Sequence, residues 1–91
     1  MSYRRLLSDD EIKADIMYRL LRRDCWGARY LPIDTLVHWL SKKVRRDGQR
    51  VRRILRELVN DGYLLHHKRG TTVSLNPARS REIEEFVKRI D

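Results

Sequence analysis

The sequence is poor in several of the features by which small proteins announce a chemistry. It has one cysteine, Cys25. An intramolecular disulfide is therefore excluded, and so is a zinc site built on paired cysteines. No run of about 18 apolar residues exists, so no membrane-spanning helix is expected. P-loop, GxGxxG, HExxH and paired CxxC patterns are all missing. No Ser, His and acid arrangement stands out, and nothing near Cys25 identifies a base for it. A chain of 91 residues also offers little enclosed volume. The expectation is a single domain that is not an enzyme and needs neither cofactor nor metal. The charged opening Met1-Ser2-Tyr3-Arg4-Arg5 lacks the apolar core of a secretion signal, so a cytoplasmic protein without membrane contact is expected.

What is abundant is positive charge, and it is localised. The net charge is +8. Residues 42–69 hold ten Lys or Arg and three acids, a balance of +7, which leaves +1 for the other 63 residues. Charge concentrated in one segment points to a polyanion partner. A merely solvated face would mix both signs.

The apolar pattern gives one run of elements without linker, repeat or low-complexity segment. Ser8 and Glu11 form a capping-box signature, with Leu7 and Ile12 placed as a staple. Ile12, Ile16 and Leu20 continue the stripe, predicting helix 1 over residues 8–24, with Gly27 at its exit. Tyr30-Leu31-Pro32 is extended, as residues before proline tend to be. Ile33, Leu36, Val37 and Leu40 predict helix 2 over residues 33–43. A basic connector containing Lys42, Lys43, Arg45 and Arg46 follows. Asp47 is placed to cap a third helix over residues 47–61, which carries Val51, Ile54, Leu55, Leu58 and Val59 on one side. Two β-prone runs around Lys68-Arg69-Gly70 predict a hairpin over residues 63–75. Asn76-Pro77 opens a last helix over residues 77–90, striped by Ile83, Phe86, Val87 and Ile90.

On a helical wheel the apolar side chains of the third helix lie within about 80° of Val51. Gln49, Arg53, Arg56 and Asn60 lie opposite, flanked by Arg50 and Arg52. Such a helix suits the major groove, where Arg reads guanine and Gln or Asn reads adenine. Basic groups at its margins meet phosphates. His66 and His67, adjacent on a strand, point to opposite faces and do not form a metal pair. Trp26 and Trp39 read as core or core-edge residues.

The stretch Val51-Arg52-Arg53-Ile54-Leu55-Arg56-Glu57-Leu58-Val59-Asn60-Asp61-Gly62-Tyr63-Leu64 resembles the passage from recognition helix to wing in winged helix-turn-helix proteins. Leu36 and Leu40 match the second helix of that superfamily, and the Lys68-Arg69-Gly70 tip matches its wing. The resemblance covers roughly residues 9–75. It implies a mostly α fold with a small β-hairpin wing: a three-helix core, the wing and an extra C-terminal helix. It further implies double-stranded DNA as partner and a role in transcription regulation. Gln49, Arg50, Arg53 and Arg52 would then read bases, with Arg56 and Asn60 further along the same face. Lys42, Lys43, Arg45, Arg46, Lys68 and Arg69 would contact the backbone or minor groove. The connector before Val51 is a few residues longer than in the commonest members, so its four cations could form a turn or a loop on phosphates. Many members are dimers, which raises a homodimer through helix 1 and the C-terminal helix.

Two other readings stand beside this one. A winged helix domain can serve protein–protein contacts, or act as an architectural subunit of a larger nucleoprotein assembly. RNA ranks third: the duplex RNA major groove is too narrow for a helix, and the chain lacks clustered aromatics for stacking single-stranded bases.

Overall fold

A computed structural model describes residues 7–42 and 48–90. The elements run α1 (Asp9–Arg22), β1 (Leu31–Pro32), α2 (Ile33–Ser41), α3 (Gly48–Asn60), β2 (Leu64–His67), β3 (Thr72–Leu75) and α4 (Ser80–Ile90), with a 3-10 turn at Pro77–Arg79 before α4. The fold is mostly helical with a small antiparallel sheet.

Helix α1 starts where its chemistry directs. The Ser8 hydroxyl accepts from the Glu11 amide at 3.0 Å, and the Glu11 carboxylate accepts from the Ser8 amide at 2.8 Å. Two otherwise orphaned amides are thereby satisfied. The helix ends at Arg22, earlier than the expected residue 24. Asp24, not Gly27, takes the left-handed position that closes it, with φ 55°. The Cys25 amide returns to the Leu20 carbonyl at 3.0 Å. Aspartate is one of the few residues besides glycine that visits this region readily.

The sheet has three strands where the sequence suggested a two-stranded hairpin. Its order is β1-β3-β2. Leu31 pairs with Val73, and His66 pairs with Val73 on the other side. The short extended stretch before Pro32 thus becomes an edge strand, where a proline costs no ladder bond. The Ile33 amide at the start of α2 donates to the Thr71 carbonyl at 2.9 Å. That bond fixes α2 to the hairpin.

All four residues of β3 are buried. Val73 and Leu75 join Ile12, Ile16, Leu20, Leu36, Leu40, Ile54, Leu58, Leu64 and Ile83 in one core. Strand alternation sends Thr72 and Ser74 to the other side. There the Ser74 hydroxyl donates to the Gly27 carbonyl at 2.7 Å. Its single proton is spent in that bond, so at 3.0 Å the His67 Nε2 must be the donor to Ser74.

Gly62 sets the angle between α3 and the hairpin. Its φ is 86°, and an added Cβ would meet the Arg79 guanidinium at 3.1 Å. Asn76 secures the same corner. Its amide side chain donates to the Gly62 carbonyl at 2.8 Å, while its side-chain oxygen caps the Ala78 amide at 3.0 Å. Continuous α-helix begins only at Ser80, because Pro77 opens one tight turn first.

Candidate nucleic-acid interface

Helix α3 buries Val51, Ile54, Leu55 and Leu58 against α1, α2 and the sheet. This burial decides which of its polar side chains face outward. Gln49, Arg52, Arg56 and Asn60 are exposed. Arg50 and Arg53 are only half-exposed, because their side of the helix lies against the start of α1.

There a carboxylate cluster holds them. The Arg50 guanidinium donates to Asp9 at 2.8 and 3.2 Å and to the Leu7 carbonyl at 2.7 Å. Arg53 reaches Asp9 at 3.3 Å and Glu57, one turn on, at 2.7 Å. Lys13 closes the network on Glu57 at 3.4 Å. The hydrogen bond from Arg50 holds the Asp9 carboxyl below its ordinary range, against a smaller opposing effect of burial and with further help from Arg53. Glu57 is lowered in the same way, chiefly by Arg53. The Arg53 guanidinium is raised in turn, first by its hydrogen bond to Glu57.

The exposed arc is different. Arg52 bonds Asp34 at 2.7 Å, but Asp34 is 86% exposed and Arg52 48%. A pair so open to water is weak and easily exchanged for another anion. Among the described residues Arg56 forms no hydrogen bond or ion pair.

Between this arc and the hairpin runs a groove of about 390 Å³. Ile33, Leu55, Val59 and Val73 make an apolar floor. Arg52, Arg56 and Asn60 form one rim, and His66 and Gly70 form the other. His66 reaches the groove because it shares a sheet face with its pairing partner Val73. His67 points away and stacks on Tyr30, ring centres 4.9 Å apart.

The hairpin tip holds its cations in an uncommon backbone. Lys68 has φ 49°, Arg69 φ 58° and Gly70 φ 81°. Turns of this hand favour Asn and Gly at their centre, because a Cβ crowds the following carbonyl. The His67 carbonyl accepts from both the Gly70 and Thr71 amides, at 3.0 and 3.1 Å. The Lys68 ammonium sits 5.2 Å from the centre of the Tyr30 ring.

No family model, curated protein or solved structure matches this chain.

The expected site residues fall into four groups. Arg52, Arg56 and Gln49 share the outward arc. Lys68 and Arg69 stand exposed at the neighbouring tip. Arg50 and Arg53 are drawn aside by Asp9. Lys42 is exposed just beyond α2, while Lys43, Arg45, Arg46 and the expected cap Asp47 lie outside the described residues. Sequence reasoning weighed His66 only as a metal ligand, not as part of this groove, and did not foresee the ion pairs of Asp9 and Asp34 with α3. The alternation of β2 could have placed His66 on the α3 side. Nothing local in the sequence links Asp9 to Arg50, forty-one residues apart.

No helix of the described residues is long and apolar enough to cross a membrane. Among them, no cluster of three or more His, Cys, Asp or Glu is placed to hold a metal ion. Cys25 is buried, and that burial pushes its thiol pKa up, the opposite of what a nucleophile needs.

Proposed function

We propose that the chain is a winged helix-turn-helix protein that binds double-stranded DNA, as a transcription regulator acting at the nucleoid. Helix α3 enters the major groove, and the β2–β3 hairpin serves as the wing on the backbone or minor groove. The element order α1, β1, α2, α3, β2, β3, α4 supports this architecture. So does the packing of α2 directly on α3.

One observation carries the reading. The exposed arc of α3 presents Gln49, Arg52, Arg56 and Asn60 with no acidic residue of that helix among them, and it borders a hairpin whose tip is Lys68-Arg69. Guanidinium and amide groups on one arc match base edges. Cations on a second element beside it match the flanking phosphates. Arg52 and Arg56 are the principal contacts on α3, with Gln49 toward its start. Arg50 and Arg53 orient the helix through Asp9 and lie at its edge.

The ion pairs of Arg50 and Arg53 favour one second reading, an architectural subunit that uses this fold for protein contacts. Mobility shift of short random-sequence duplexes separates the two. The DNA reading expects a shift that Arg52→Ala with Arg56→Ala abolishes at moderate salt. No shift for the unaltered protein at low salt selects the architectural reading.

A further inference from the structure

The groove between α3 and the hairpin differs from an open helix face. Its floor is apolar: Leu55 and Val73 are buried, while Ile33 and Val59 are only half-buried. Its volume of about 390 Å³ lies in the range of pockets that hold small organic ligands.

The helix orders the wall above that floor. Arg52, Arg56 and Asn60 follow one another at four-residue spacing, so their donors stand in a row about 12 Å long. His66 belongs to the opposite rim, and none of the residues lining the groove is acidic. Arg52 is paired with Asp34, in a contact open to water. Arg56 forms no hydrogen bond or ion pair among the described residues. The fork of a free guanidinium suits a carboxylate, which accepts from it in two parallel bonds. A simple inorganic anion would satisfy Arg56 and leave Ile33 and Val59 facing water. A molecule with an apolar body and a carboxylate satisfies both.

From this pairing of charge and floor we infer that the groove binds a small aromatic carboxylate. Its ring system lies on Ile33, Leu55, Val59 and Val73. Its carboxylate is gripped by Arg56, with the Asn60 amide as a further donor. A flat aromatic body is favoured over an alkyl chain, because the Arg52 guanidinium and the His66 ring can stack on its face from the two rims. The row of donors limits that body to about two fused rings.

The site itself does not depend on DNA binding. One consequence of it does rest on the DNA reading. Arg52 and Arg56 are the proposed duplex contacts, so a bound carboxylate and a duplex exclude one another.

Titration of the full chain with naphthoate, without nucleic acid and followed by amide chemical shifts, tests the inference apart from that reading. Saturable binding is expected, with a dissociation constant of about 1 mM or below. The shifts should centre on Ile33, Arg56, Val59 and Val73. Arg56→Ala should weaken binding roughly tenfold. Its melting curve should match that of the unaltered protein, because the side chain is exposed and unpartnered. Naphthamide lacks the charge and acetate lacks the rings, so each should bind at least roughly tenfold more weakly. Absence of saturable binding overturns the inference. So do shifts centred elsewhere on the molecule, binding that Arg56→Ala leaves unchanged, or either control binding as tightly as naphthoate. A protein that binds naphthoate as expected but no duplex loses the DNA reading and keeps this site.

Discussion

Asp9, the first residue of α1, holds Arg50 near the start of α3 at 2.8 Å and reaches Arg53 at 3.3 Å. One carboxylate thus joins the two helices and occupies two of the cations that the sequence offered for DNA. Asp9→Asn should act in opposite directions on stability and on binding. Asp9 is 42% exposed, so after allowing for solvent screening the stability loss should be only about 0.5–1 kcal/mol. Duplex affinity should rise, because an acid is removed and two arginines are released. Urea unfolding and anisotropy titration of the same variant check both signs.

The same carboxylate predicts an acid limb. Asp9 and Glu57 have folded pKa values below their ordinary ones. A lowered carboxyl contributes stability that is present above the unfolded pKa and lost as pH falls through the folded one. Stability should therefore decline as the pH drops below about 4. The decline should be shallower in Asp9→Asn. Urea midpoints at a series of acid pH values, compared between the two proteins, check this.

The hairpin tip should trade stability for charge. Lys68→Asn with Arg69→Gly suits the left-handed backbone better and removes two cations. Relief of strain outweighs the lost Lys68–Tyr30 contact, so the variant should be about 1 kcal/mol more stable. Its duplex binding should weaken, with the slope of log K on log salt flatter by about 1.8. Thermal melts and titrations at several salt concentrations measure the two effects.

Gly62→Ala should be costly at a surface corner. Its φ of 86° and the Arg79 guanidinium 3.1 Å from the added Cβ both oppose a side chain. A loss of about 1–2 kcal/mol is expected. Hydrogen exchange should show the junction of α3 and β2 opening first. A neutral Gly62→Ala would mean that this corner does not set the hairpin angle.

Much of the fold was legible in local chemistry. The Ser8–Glu11 box, the 3.6-residue stripes of α1 and α3 and the Asn76-Pro77 start are all encoded within a few residues of where they act. The third strand was not legible, because Leu31–Pro32 is too short to show alternation and is a strand only through its pairing with β3. The site divides in the same way. A wheel separates the apolar from the polar side of α3, but it cannot say which polar flank a distant element will cover. That flank was decided by Asp9. Arg56, which the sequence placed further along the polar face than the expected base readers, stands exposed on the groove rim. Arg50, counted among the base readers although it flanks that face, is turned to α1.

The claim on which the functional account rests is that the outward arc of α3 and the hairpin tip together bind a DNA duplex. The salt dependence of binding to a 25-base-pair duplex of about 85 Å, long enough for both elements, tests it most directly. The four cations Arg52, Arg56, Lys68 and Arg69, each displacing a counterion from the duplex whether it meets a base edge or a phosphate, predict a slope of log K on log salt near −3.6, nearly lost when all four are changed to Ala. Absence of binding at low salt, or a slope that the fourfold change leaves intact, would contradict it.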